Sequence, residues 1–147
     1  IYLSLLFSFL TWGYFVPKFS KNVSDAIRLL KFGAPINLVV LAFIIYLGPK
    51  AGAFHWALFA VSSVFLSLSQ PAVGMAFSLS NAGKALTSFN LLLFIGAFAL
   101  QWIIGVIIDL TMNLGFSEIS GFRFAMVFFL LTSLFSYLFF LIKNYKN

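Results

Sequence analysis

Residues 85 to 108 read ALTSFNLLLFIGAFALQWIIGVII, a run bounded by Lys84 and Asp109 that holds no charged side chain. A helix crossing the hydrocarbon core of a bilayer needs roughly 20 mostly apolar residues, because about 30 Å must be covered at about 1.5 Å per residue. This run meets that requirement. On either side of it the pattern repeats: intervals 1–17, 32–49, 51–83 and 124–142 are also free of charge. Four of the five intervals are long enough or nearly so, and the first is cut short.

Composition leads to the same class by a separate route. The 147 residues are 63% hydrophobic and 8% charged, with 21 Phe and a mean hydropathy of +1.09. Ordinary soluble domains carry about 25% charged residues, and a soluble monomer tolerates exposed apolar patches of only a few hundred Å². Lipid is therefore the expected solvent. Water is absent from the bilayer core, so every backbone group must be satisfied within a span. The apolar runs are too long and too unalternating for barrel strands. The expected fold is an all-α membrane protein with five transmembrane helices, at about 1–16, 32–48, 54–77, 85–110 and 122–142.

The net charge of +6 is distributed as a membrane protein distributes it. Lys18, Lys21, Arg28 and Lys31 fall between spans 1 and 2, Lys84 between spans 3 and 4, and Lys143 and Lys146 after span 5. The other set of loops holds only Lys50 and Arg123, alongside Asp109 and Glu118. The positive-inside rule puts the first set in the cytoplasm, the first residue outside and the C-terminus inside, as in a multi-pass protein of a plasma (inner) membrane. The same distribution argues against nucleic acid as a partner. Ile1 has no initiator Met, basic n-region or cleavage site before it, so the chain reads as a fragment continuing upstream.

Local signals mark the span ends. Trp12 and Tyr14 suit the headgroup level, and Pro17 closes span 1. Residues 20–31 are expected to form a short surface helix capped by Ser24 or Asn22. Gly48-Pro49 turns the chain into span 3. A single helix over residues 51–83 would be about 50 Å long, so Pro71 is expected to bend span 3 near Gln70-Pro71. Gly74, Ser78 and Ala82, at i, i+4 and i+8, would then offer a close helix contact. A polar turn is expected over residues 80–84. Span 5 sets Thr132, Ser133, Ser136 and Tyr137 apart from its Phe, Leu and Ile.

Polar side chains inside a membrane are costly, which makes them the best pointers to function. Span 3 offers Ser62, Ser63, Ser67, Ser69 and Gln70; span 4 offers Thr87, Ser88, Asn90 and Gln101. Asn90, Ala97 and Gln101 share one face at about 100° per residue. That face either lines a cavity or hydrogen-bonds a neighbouring helix. Asp109, at the far end of span 4, either carries a coupling proton or ends the helix near water. His55 has no second ligand nearby in sequence, so an interfacial place is expected for it, not a metal site.

No enzyme constellation is present: there is one His, no Ser/His/Asp set, no HExxH and no phosphate-cradling glycine loop. The absence of Cys excludes thiol catalysis, thiolate metal sites and disulfides within these residues. No cofactor is expected.

Gln70-Pro71-Ala72-Val73-Gly74, the turn from Asn81 to Asn90, the run from Phe94 to Gly105 and Ile108-Asp109 together resemble the end of a bacterial major facilitator superfamily transporter. The pattern N…F-x-G-A-F-x-x-Q-W-x-x-G is similar to helix eleven of a prokaryotic branch of that family. The resemblance covers the chain as helices eight to twelve, a partial C-terminal six-helix bundle. It implies an upstream N-terminal half, alternating access by rocking of the halves, and a small-molecule substrate whose transport is coupled to a proton or ion. The cavity candidates carried over are Gln70, Asn90 and Gln101, with Ser63 and Ser67 behind them; spans 2 and 5 would face lipid. The loop from Gly13 to Lys21 departs from the family pattern, lacking the acidic residue and paired arginines of its gating motif. The competing expectation is a non-transporting membrane subunit that anchors a complex.

Overall fold

The computed structural model describes Tyr2–Phe19 and residues 22–144, so Lys21 and Lys146 of the basic set lie outside the described residues. The described chain is helical apart from short connections. Helix α1 spans Tyr2–Phe19, α2 Val23–Leu47, α3 Ala53–Ser63, α4 Ser69–Ala76, α5 Leu79–Asn113 and α6 Glu118–Asn144. A short 3₁₀ turn, Gly48–Lys50, follows α2, and a 3₁₀ segment, Val64–Leu68, joins α3 to α4. Four helical stretches are long and apolar enough to cross a membrane: Val23–Lys50, Ala53–Ala76, Leu79–Asn113 and Glu118–Asn144. At 18 residues, α1 is shorter than each of these. These are the helices of a membrane-embedded protein.

Several span limits differ from the expectation. The backbone of α1 stays helical through Pro17 to Phe19. Of the expected surface helix over 20–31, residues 20 and 21 lie outside the described residues, and 23–31 are not a separate helix, because α2 starts at Val23 and continues without a break to Leu47. Its cap is Asn22, whose side chain accepts the Asp25 backbone N–H at 2.9 Å and satisfies one of the four free donors of the first turn. At the other end Gly48 adopts φ 55°, a conformation that favours glycine, and its N–H closes onto the Ile44 carbonyl.

The irregularity in the third span falls before Pro71, not at it. Ser63, Ser67 and Ser69 donate to the carbonyls of Ala60, Val64 and Leu66 at 2.8, 2.7 and 2.7 Å, side-chain bonds that compete with the α-helical ladder. Pro71 cannot donate to Ser67, and its ring crowds that carbonyl. The chain resolves both pressures by tightening to 3₁₀ over Val64–Leu68 and starting α4 at Ser69, which places Pro71 in a first helical turn where a missing N–H is tolerated.

The small-residue contact expected on Gly74, Ser78 and Ala82 does not form on one helix. Phe77 and Ser78 are extended, with ψ 156° and 152°, so the chain reverses there. The expected polar turn at 80–84 is instead the first turns of α5. Close helix approach occurs elsewhere. On α6, Gly121 and Ala125 are buried, and a Cβ on Gly121 would sit 3.4 Å from the Ile108 Cα of α5. On α2, a Cβ on Gly33 would fall on the Phe65 ring, which also meets Trp12 of α1 edge-on at 4.8 Å. Trp12 thus packs between helices.

Helix α2 occupies the middle of the assembly, packing against α3, the 3₁₀ segment, α4 and α6. Its buried residues, Ala26, Gly33, Ala34, Asn37, Leu41 and Ile44, recur with the 3.6-residue period of one helix face. A second face, with Ile36, Val39, Phe43 and Tyr46, is exposed. Span 2 is therefore not exposed all round: one of its faces is packed among the other helices. Helix α5 packs against α4 and α6, yet none of its residues is buried.

The connections place Lys18, Arg28, Lys31, Lys84 and Lys143 at one end of the helices and Lys50, Asp109, Glu118 and Arg123 at the other. A direct contact ties the basic end together: Lys31 Nζ donates to the Asn144 carbonyl at 3.0 Å, a cation on the negative terminus of α6.

Candidate functional site

Gln70 stands in the first turn of α4 and Asn90 in the fourth turn of α5, and the structure brings them together. Gln70 Nε2 donates to Asn90 Oδ1 at 2.8 Å, and the bond is exposed. Below it, a Cβ added to Gly74 would stand 3.5 Å from Leu86 Cδ1, so the two helices lie close enough for the amides to reach each other. Each amide retains further donors and acceptors. The pair is neutral and can hydrogen-bond a polar solute, but it cannot hold a proton or balance a charge.

Gln101 lies eleven residues along α5, about 16 Å farther on the same face at 1.5 Å rise. It is exposed, with Phe94, Phe98 and Trp102 beside it also largely exposed. Asn90 and Gln101 thus share one face of α5, with Phe94 and Ala97 between them. Only the Asn90 end of that face is covered by another described helix.

The other expected residues divide by where their hydrogen bonds go. Ser63 and Ser67 are half-buried and donate into their own backbone, leaving acceptor lone pairs only. Thr87 does the same to the Gly83 carbonyl at 2.9 Å. Asp109 is exposed near the end of α5, remote from Gln70 and Asn90. His55 accepts the Gly52 N–H on Nδ1 at 3.2 Å and lies between the rings of Phe43 and Phe54, where it fixes the start of α3. No group of three metal-ligating side chains occurs among the described residues.

Two polar centres went unread in the sequence. Asn37, only 6% exposed, donates from Nδ2 to Ser62 Oγ at 2.9 Å and to the Phe59 carbonyl at 3.3 Å, while Ser62 donates to that same carbonyl at 2.9 Å. The rule that selected Asn90 selects Asn37 equally, since it stands in the middle of the charge-free run 32–49. The second centre joins Tyr137 of α6 to the Lys31 carbonyl of α2 at 2.9 Å. Its signal was Pro35, which deprives that carbonyl of its helical donor.

A comparison with known proteins finds no matching family model, no matching curated sequence and no matching solved structure.

Proposed function

We propose that this chain is the C-terminal part of a secondary transporter of the major facilitator type, carrying a small solute across a plasma (inner) membrane by alternating access. In this reading the basic end of the helices is cytoplasmic, and Gln70, Asn90 and Gln101 line the solute's path. The observation that supports it most is the exposed Gln70–Asn90 hydrogen bond. Two amides placed in apolar spans without being buried are costly in lipid, and facing a water-filled cavity removes that cost. The buried Asn37–Ser62 pair is the contrasting case, since it satisfies itself between helices and needs no cavity.

Every cavity candidate on these helices is uncharged, so a charged solute or coupling ion finds its counterion in the other half of such a transporter. The test is solute flux in cells making the whole protein, with Asn90→Ala and Gln101→Ala compared at equal membrane abundance. Both variants should lower flux. Unchanged flux in both would rule out the cavity role.

A non-transporting anchor subunit is the second reading, favoured by the uncovered apolar surface of α5 at Phe94, Phe98 and Trp102. A partner helix seated there would hide Gln101 from water instead of exposing it.

A further inference from the structure

At the basic end, where α4 turns into α5, an open groove of about 470 Å³ is lined by Val73 and Phe77 and by Asn81, Lys84, Ala85, Ser88, Phe89 and Leu92 of α5. The α5 residues fall at i, i+3, i+4, i+7, i+8 and i+11, a continuous stripe on the side of α5 turned away from Asn90. Polarity is graded along that stripe. Asn81, Lys84 and Ser88 occupy the end near the start of α5, and Phe89 and Leu92 continue toward the middle of the span. From Lys84 to Leu92 is about 12 Å along the axis.

We propose that this groove binds one anionic phospholipid of the surrounding bilayer, its phosphate at Lys84 and Ser88 and an acyl chain along Phe89, Leu92 and Val73. Charge complementarity selects that occupant. Lys18 lies over the Tyr14 ring at 3.8 Å and Lys31 is bound to the α6 terminus, whereas no ion pair or hydrogen bond engages Lys84 or Ser88 among the described residues. Lys84 is thus a cation at membrane-surface depth with an apolar channel leading away from it. The groove's size suits a partly inserted ligand, within the roughly 300–1,000 Å³ of common sites. A comparable groove at the opposite end, lined by Phe116, Ser120, Arg123, Phe124 and Val127, lies at the end that holds Asp109 and Glu118 and lacks this excess of positive charge. The inference does not depend on whether the protein moves a solute.

Native mass spectrometry of the delipidated full protein, titrated with phosphatidylglycerol or with phosphatidylcholine of the same acyl chains, tests the site. Phosphatidylglycerol should be retained preferentially, and Lys84→Gln should weaken its retention about fivefold, the contribution expected of one basic residue at a membrane surface. Lys143→Gln, at the same end but outside the groove, should leave retention nearly unchanged. Ser88→Trp, which fills the groove from an exposed position, should abolish retention while the melting temperature stays at the wild-type value. Equal retention of the two lipids, or equal losses in Lys84→Gln and Lys143→Gln, would overturn the proposal in favour of diffuse surface charge. Displacement of the lipid by inorganic phosphate alone would overturn the role given to the acyl channel.

Discussion

Tyr137 donates its phenolic hydroxyl to the Lys31 carbonyl at 2.9 Å, supplying from α6 the hydrogen that Pro35 cannot supply within α2. In a helix the N–H of residue 35 would bond the carbonyl of residue 31, and proline has none. The chain therefore keeps a proline inside a continuous 25-residue helix by satisfying the orphaned carbonyl from a neighbour. Tyr137→Phe should lower stability by about 0.6–1.7 kcal/mol, the range for interhelical bonds in membranes. In a Pro35→Ala background, where the intrahelical donor returns, the same change should cost little. A double-mutant cycle on detergent melting temperatures measures this, and equal losses in both backgrounds would refute the compensation.

Gly33 and Phe65 should show the same kind of coupling through shape. A Cβ on Gly33 falls on the Phe65 ring, held in place by Trp12, so Gly33→Ala should destabilise by about 1–3 kcal/mol through overpacking. Gly83→Ala, where nothing lies within 4 Å of a new Cβ, should be neutral or slightly stabilising. If the two substitutions melt alike, the close contact is not what holds α2 against the 3₁₀ segment.

Asn37 and Ser62 share a buried network in which the two members are unequal. Asn37→Ala removes both amide donations, whereas Ser62→Ala leaves Asn37 its bond to the Phe59 carbonyl. The Asn37 variant should therefore lose more stability, by about 1 kcal/mol at most. A larger loss from Ser62→Ala would mean that the Phe59 carbonyl is not a working acceptor for Asn37.

The helix class and the connections near Lys50 and between Asp109 and Glu118 could be read from charge alone, because a charged side chain in hydrocarbon is too costly to misplace. Gly48-Pro49 was equally legible, and Asn22 was one of the two caps the residues offered, each being a local backbone requirement carried by a few adjacent residues. Gln70 and Asn90 were found because polar residues are scarce in such spans, and the structure joins them. What the sequence hid was pairwise. That Tyr137 answers Pro35, that Phe65 needs the space at Gly33, and that Gly121 packs tightly against Ile108 and Thr111 all depend on which faces meet, and that is set by residues several to tens of positions apart. The 3₁₀ segment Val64–Leu68, in the turn that precedes Pro71, was not legible either, since the serines before the proline decide how that turn is wound.

The Gln70–Asn90 bond should contribute little to stability because it is exposed, with Gln70 open and Asn90 only half-buried. Gln70→Ala and Asn90→Ala should each shift stability by less than about 0.5 kcal/mol, unlike Asn37→Ala. A loss matching that of the buried pair would identify the two amides as helix glue and not as the lining of a path.

The central claim is that the Asn90–Gln101 face of α5 meets water inside the membrane, and the chain's lack of cysteine allows a direct measurement. Single replacements Asn90→Cys, Gln101→Cys and, about 140° around the helix from Asn90, Ile95→Cys can be treated in membrane vesicles with a water-soluble maleimide, which reacts with the thiolate. A solute path predicts rapid labelling at positions 90 and 101 and none at 95. Labelling at none of the three, or equally at all of them, would contradict it.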